Sequence, residues 1–158
     1  MRRILAPPPP KAPPVTDARD PIRDVLAAYQ AAVLAKDVAT FVAIYADDVQ
    51  IFELWGAWQH DFASWREMAR GWFASLGDER SVVEAHGVRT QVSGDMALLT
   101  ASLTYRAVDP AGTPLRSLDN RLSWVLRERG GRWRVVHEHT SVPLAHDGGK
   151  GILKRPAS

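Results

Sequence analysis

The chain has no cysteine. That excludes disulfides, thiol nucleophiles and cysteine-ligated zinc, and it fits a reducing compartment, so a cytoplasmic location is expected. Long hydrophobic runs are missing too: no apolar stretch approaches the ~20 residues that a membrane-spanning helix needs. The opening MRRILAPPPPKAPPV is positively charged, but its apolar piece, Ile4 to Ala6, is too short for a secretion signal. Charge of one sign is scarce. Lys and Arg number 20 against 18 Asp and Glu, and part of the net +2 sits in the tails, at Arg2, Arg3, Lys11, Lys150, Lys154 and Arg155. A nucleic-acid-binding domain carries a concentrated basic stripe on its folded part. None is visible, so neither nucleic acid nor membrane is an expected partner.

What is present is ordinary for one globular domain. The 158 residues are enough to bury a core without staples. Residues 1–15 are proline-rich (Pro7 to Pro10, Pro13, Pro14) and read as a disordered arm with extended polyproline geometry. Residues 16–144 read as the domain, and the glycine-rich, basic residues 145–158 as a flexible tail.

Within the domain three helices come early. Asp20 is an N-cap with Pro21 at the first helical position, and Ile22, Val25, Leu26, Tyr29 and Val33 recur at helical spacing. Asp37 caps a short second helix, VATFVAIYA, with Phe41, Ile44 and Tyr45 inward. VQIFEL reads as a strand, followed by a loop holding Trp55, Gly56 and Trp58. Asp61 caps a third helix with a wide apolar face that includes Trp65 and Trp72, and Gly77 stops it. Four strands follow, turning at Ser93-Gly94-Asp95, at DPAGTP and at Gly130-Gly131. Helices segregated ahead of consecutive hairpin-connected strands predict an α+β fold with a mainly antiparallel sheet.

The densest polar cluster is His137-Glu138-His139 in RWRVVHEHTSVP. Residues two apart on a strand share a face. His137 and His139 therefore lie with Trp133 and Val135, and Glu138 lies with Arg134, Val136 and Thr140. A His-x-His pair can bind a metal only with further ligands, and the spacing of His60, His86 and Asp119 does not demand that they supply them. No metal site is expected.

The segment VLAAYQAAVLAKDVATFVAIYADDVQIFELWG resembles the opening of the superfamily shared by nuclear transport factor 2, ketosteroid isomerase and the SnoaL-like polyketide cyclases. GGRWRVVHEHTS resembles the last strand of SnoaL-like proteins and of the association domain of calcium/calmodulin-dependent kinase. The resemblance covers residues 16–144. It implies a cone: three N-terminal helices packed in the concave face of a strongly curved, mainly antiparallel sheet. It also implies a small apolar ligand as partner, and a homodimer through the sheet.

Aligned without a gap, the opening segment puts Tyr29 on the isomerases' oxyanion-binding tyrosine and Glu53 on their proton-shuttling carboxylate. The implied catalytic pair is thus Glu53 and Tyr29. Trp55, Trp58, Trp65, Trp72, Arg121, Trp124, Glu138 and Thr140 are the expected pocket lining. The kinase domain's pocket arginines imply that the Glu138 and Thr140 face looks inward. No carboxylate aligns with the isomerases' second oxyanion donor; Arg121 or Ser123 falls there, just after Asp119 and Asn120, which speaks against steroid isomerisation itself. The implied activity is a cofactor-free isomerase, cyclase or lyase working by proton transfer beside a carbonyl. The alternative is a non-catalytic ligand-binding or association module of the same fold.

Overall fold

The computed structural model describes residues 20–156. The proline-rich arm expected over residues 1–15 lies outside them. Three helices, α1 (Pro21–Ala35), α2 (Val38–Ala43) and α3 (Phe62–Ser75), accompany five strands. The strands are β1 (Tyr45–Phe52), β2 (Arg80–Ser93), β3 (Met96–Val108), β4 (Pro114–Arg129) and β5 (Arg132–Ser141).

The caps read from the sequence are in place. Asp20 accepts from Ile22 N at 3.0 Å, Asp37 accepts from Thr40 N at 3.0 Å, and Asp61 and Ser64 form a reciprocal capping box. One boundary differs. The second helix ends at Ala43 rather than running to Ala46, and β1 begins at Tyr45 rather than Val49. The sheet takes the chain over here: Val135 N donates to Ile44 O at 2.9 Å, which pulls residues after Ile44 out of the helix.

The sheet is open, in the order β1-β5-β4-β3-β2. β2, β3, β4 and β5 form successive antiparallel hairpins, and β1 adds to β5 in parallel. Besides a register shift at Ala107 and Val108, where β3 meets the start of β4, three irregularities interrupt it. β2 bulges between His86 and Arg89, where Gly87 takes the left-handed φ of 61° that a side chain would strain. β1 loses register between Tyr45 and Gln50. The third lies between the Leu126–Val135 and Val125–His137 pairs, so one residue of β5 is inserted.

That inserted residue changes the reading of β5. A strict two-residue period groups Trp133 and Val135 with the histidines. In the structure Val135, Glu138 and Thr140 are all buried, whereas His139 is exposed. The bulge at Val136 switches the phase, so Val135 joins the Glu138 side.

The helices cover one face of the sheet, with α1 against β2 and α3 against β1 and α2. Phe41 is the hub, fully buried and in ring contact with Tyr29, Tyr45, Trp65, Trp72 and Phe73. Each such side chain contributes about 2–3 kcal/mol by leaving water. No helix is long and apolar enough to cross a membrane. Beyond β5 the chain returns to β4, where Asp119 N donates to Leu153 O at 2.8 Å.

Candidate functional site

A cavity of about 510 Å³ opens between the helices and the concave face of the sheet. α1 gives it Tyr29, α3 gives it Trp65, Met68, Trp72 and Leu76, and β3 gives it Tyr105 and Ala107. β4 contributes Arg116, Ser117, Leu118 and Asn120, and β5 contributes Glu138 and Thr140. Glu53, Leu54 and Trp55 enter from the segment after β1, and Leu153 from the C-terminal segment. Most of this wall is apolar, so the few polar groups in it stand out.

Glu138 lies deep in the cavity, 2% exposed. Tyr45 Oη and Trp124 Nε1 both donate to its Oε2, each at 2.7 Å. Burial pushes this carboxyl up to about 7, and the nearby Glu53 charge adds to the push. The Tyr45 and Trp124 donors favour the ionised form and oppose it, but do not win. Near neutral pH a large fraction of Glu138 is therefore the uncharged acid.

Glu53 follows the last residue of β1. Its Oε1 is 3.4 Å from His60 Nε2, and both side chains are about nine-tenths buried. His60 reaches it because the loop returns to β1: Ile51 and His60 exchange backbone hydrogen bonds of 3.0 and 2.9 Å. Thr140 holds the other side, its hydroxyl accepting from Leu54 N at 3.0 Å. The third polar group is a tyrosine pair. The Tyr29 and Tyr105 hydroxyls are 2.7 Å apart. Burial raises both above the ordinary tyrosine range, so both remain protonated donors. Asn120 is the fourth: it is 8% exposed, and its Oδ1 is buried without a hydrogen-bond partner.

The structure brings Tyr29, Glu53, Trp55, Trp65, Trp72, Glu138 and Thr140 to one cavity. Three expected lining residues are elsewhere. Trp58 is 95% exposed, because the loop turns outward after Gly56. Arg121 points from the opposite face of β4, out of phase with the buried Asn120, Leu122 and Trp124. Trp124 is fully buried beneath the wall, where it donates to Glu138 and packs edge-on against Tyr29, ring centroids 5.5 Å apart.

Tyr105, Asn120, His60 and Leu153 are cavity or contact residues that pattern reading passed over. Two carried a signal. Tyr105 is in phase with Leu99, Leu103 and Ala107, and Asn120 is a polar residue in phase with Leu122, Trp124 and Leu126. His60 and Leu153 sit in irregular segments, where no period applies. The histidine pair of β5 lies outside: His137 Nδ1 contacts Gln50 O at 2.9 Å, and Phe52 packs against both rings. Among the described residues no group of three or more His, Asp or Glu side chains is placed to hold a metal ion.

Helices over one face of a bent, open sheet, with a cavity between, define an α+β fold of the nuclear transport factor 2-like kind. The chain belongs to the SnoaL-like domain family, whose sequence model matches residues 22–145. Solved structures share the fold. A nuclear transport factor 2-like protein of unknown function from Pseudomonas putida is 23% identical, with a TM-score of 0.74 over 86% of this chain and 94% of that one. A putative aromatic ring hydroxylase from Novosphingobium aromaticivorans is 19% identical, with a TM-score of 0.63 over 76% and 85%. A putative calcium/calmodulin-dependent protein kinase II association domain from Xanthomonas campestris is 18% identical, with a TM-score of 0.60 over 87% and 96%. At such identities the likeness concerns the fold. No curated protein matches the sequence.

Proposed function

We propose that the chain is a cofactor-free enzyme that moves a proton beside the carbonyl of a small, uncharged, apolar ligand. The observation that supports this is the convergence of two unlike carboxylates, Glu53 and Glu138, and a tyrosine pair on one apolar cavity. Glu53 is the base. Its carboxylate takes a proton from the carbon next to the carbonyl, and the C–H electron pair forms a carbon–carbon double bond. The carbonyl π pair moves onto oxygen. Tyr29, acting with Tyr105, stabilises that oxygen by a hydrogen bond, and protonated Glu138 is a second neutral donor. Return of the proton from Glu53 to the same carbon, or to a conjugated one, restores the carbonyl and the carboxylate. The sequence balances without an oxidant or reductant. Buried Trp65 and half-buried Trp72 keep water from this part of the cavity, which strengthens each of these interactions.

A second reading is a non-catalytic ligand-binding module. The pairing of Glu53 with His60, and of Tyr29 with Tyr105, favours it, because those groups already satisfy one another. One experiment separates the two. 1-Tetralone is incubated with the protein in deuterated water, and deuteration beside its carbonyl is followed by NMR. Catalysis predicts exchange well above buffer, reduced at least 100-fold by Glu53→Gln. Binding without exchange selects the module. Exchange that Glu53→Gln leaves intact excludes Glu53 as the base.

A further inference from the structure

The SnoaL-like match ends at residue 145, yet Leu153 lines the cavity. The segment between them doubles back as a small hairpin. Leu144 and Gly151 form an antiparallel bridge, Ala145 N donates to Lys150 O at 2.8 Å, and Ile152 N donates to Pro143 O at 2.8 Å. The legs are close: a Cβ on Gly151 would stand 3.1 Å from Val142 Cγ2. The returning leg is then fastened to β4 at Leu153 and at the two residues after it. Asp119 N donates to Leu153 O at 2.8 Å, and Arg155 N donates to Asp119 Oδ2 at 2.7 Å. Lys154 Nζ bonds Ser117 Oγ. Asp119 is itself fixed from the sheet by Thr104 Oγ1 at 2.6 Å, so the anchor is rigid at both ends.

The cavity end beside this anchor holds Ser117, Leu118 and Asn120. Among the described lining residues Arg116 is the one cation, and it is paired with Glu79 through two hydrogen bonds, so the cavity offers no uncompensated positive charge to an anionic ligand. We propose that residues 144–155 form a strap that determines specificity: Leu153 closes the β4 end of the cavity and limits the length of the uncharged, apolar ligand admitted. The ligand class rests on the proton-transfer reading above; the strap's effect on size does not.

Three probes test it on the full chain, read by quenching of the cavity tryptophans or by probe emission. They are 2-acetylnaphthalene, its longer homologue 2-hexanoylnaphthalene, and 1-aminoanthracene, which has no carbonyl. Wild type is expected to prefer the short ketone. Leu153→Ala is expected to shift the long-to-short affinity ratio at least fivefold toward the long ketone and to tighten 1-aminoanthracene. Leu153→Trp is expected to shift both the other way. Ratios and dye affinity unchanged within twofold in both variants overturn the strap's role. If the dye binds and responds to Leu153 while neither ketone binds, the strap stands and the carbonyl reading falls. Binding of none of the three removes both.

Discussion

Glu138→Gln is expected to stabilise this protein, and increasingly so as pH rises. The glutamine is nearly the same shape, and its carbonyl oxygen can accept from both Tyr45 and Trp124 as Oε2 does now. What it removes is the cost of ionising a buried acid. The folded-state value is raised from 4.5 to about 7, so between these limits the folded protein holds more protons than the unfolded chain. Stability therefore falls as pH rises through that window and is flat above it. At about 1.4 kcal/mol per tenfold change, the full penalty is on the order of 3 kcal/mol by pH 8, and roughly 1 kcal/mol is already present at pH 5. Urea unfolding of wild type and Glu138→Gln at both pH values measures it. The difference between the two proteins is expected to grow by roughly 2 kcal/mol from pH 5 to pH 8. Taking that difference cancels any constant packing effect of the substitution. A growth below about 0.5 kcal/mol, or of opposite sign, would show that Glu138 is not an acid strained by burial. Glu53→Gln removes one cause of the raised value and is expected to reduce the pH dependence of an otherwise wild-type chain.

Two further outcomes follow from named contacts. Trp124→Phe deletes the Nε1 donor to Glu138 and leaves space in the wall, so it is expected to cost about 2–4 kcal/mol in urea unfolding and to raise the Glu138 titration further in an infrared carboxyl titration. The outer sheet face, with exposed Leu98 beside Val125 and His137, is the surface we assign to a second copy of the chain; sedimentation equilibrium is expected to show a dimer, which Leu98→Glu weakens at least tenfold, and a wild-type monomer at micromolar concentration would remove that assignment.

The sequence by itself determined the elements and their order. Asp20-Pro21, Asp37 and Asp61 specify helix starts through local hydrogen bonds to the next few backbone amides, and local chemistry is readable in order along the chain. The alternation of Leu122, Trp124 and Leu126 carries the phase of β4, and that phase puts Arg121 on the other face. Tyr29 and Glu53, singled out through resemblance of the opening segment, both line the cavity, and two capped helices keep the spacing between them. Tertiary structure alone decided the rest. The bulge at Val136 moved Val135 to the Glu138 side, because pairing with β4 and β1 together fixes where an extra residue is inserted. The acidity of Glu138 depends on burial and on donors distant in sequence, at Tyr45 and Trp124. His60 meets Glu53, and Leu153 closes a cavity wall, only because irregular segments fold back onto strands. The exposure of Trp58 belongs with these: a tryptophan's preference for burial is a tendency, and the direction of a loop overrode it.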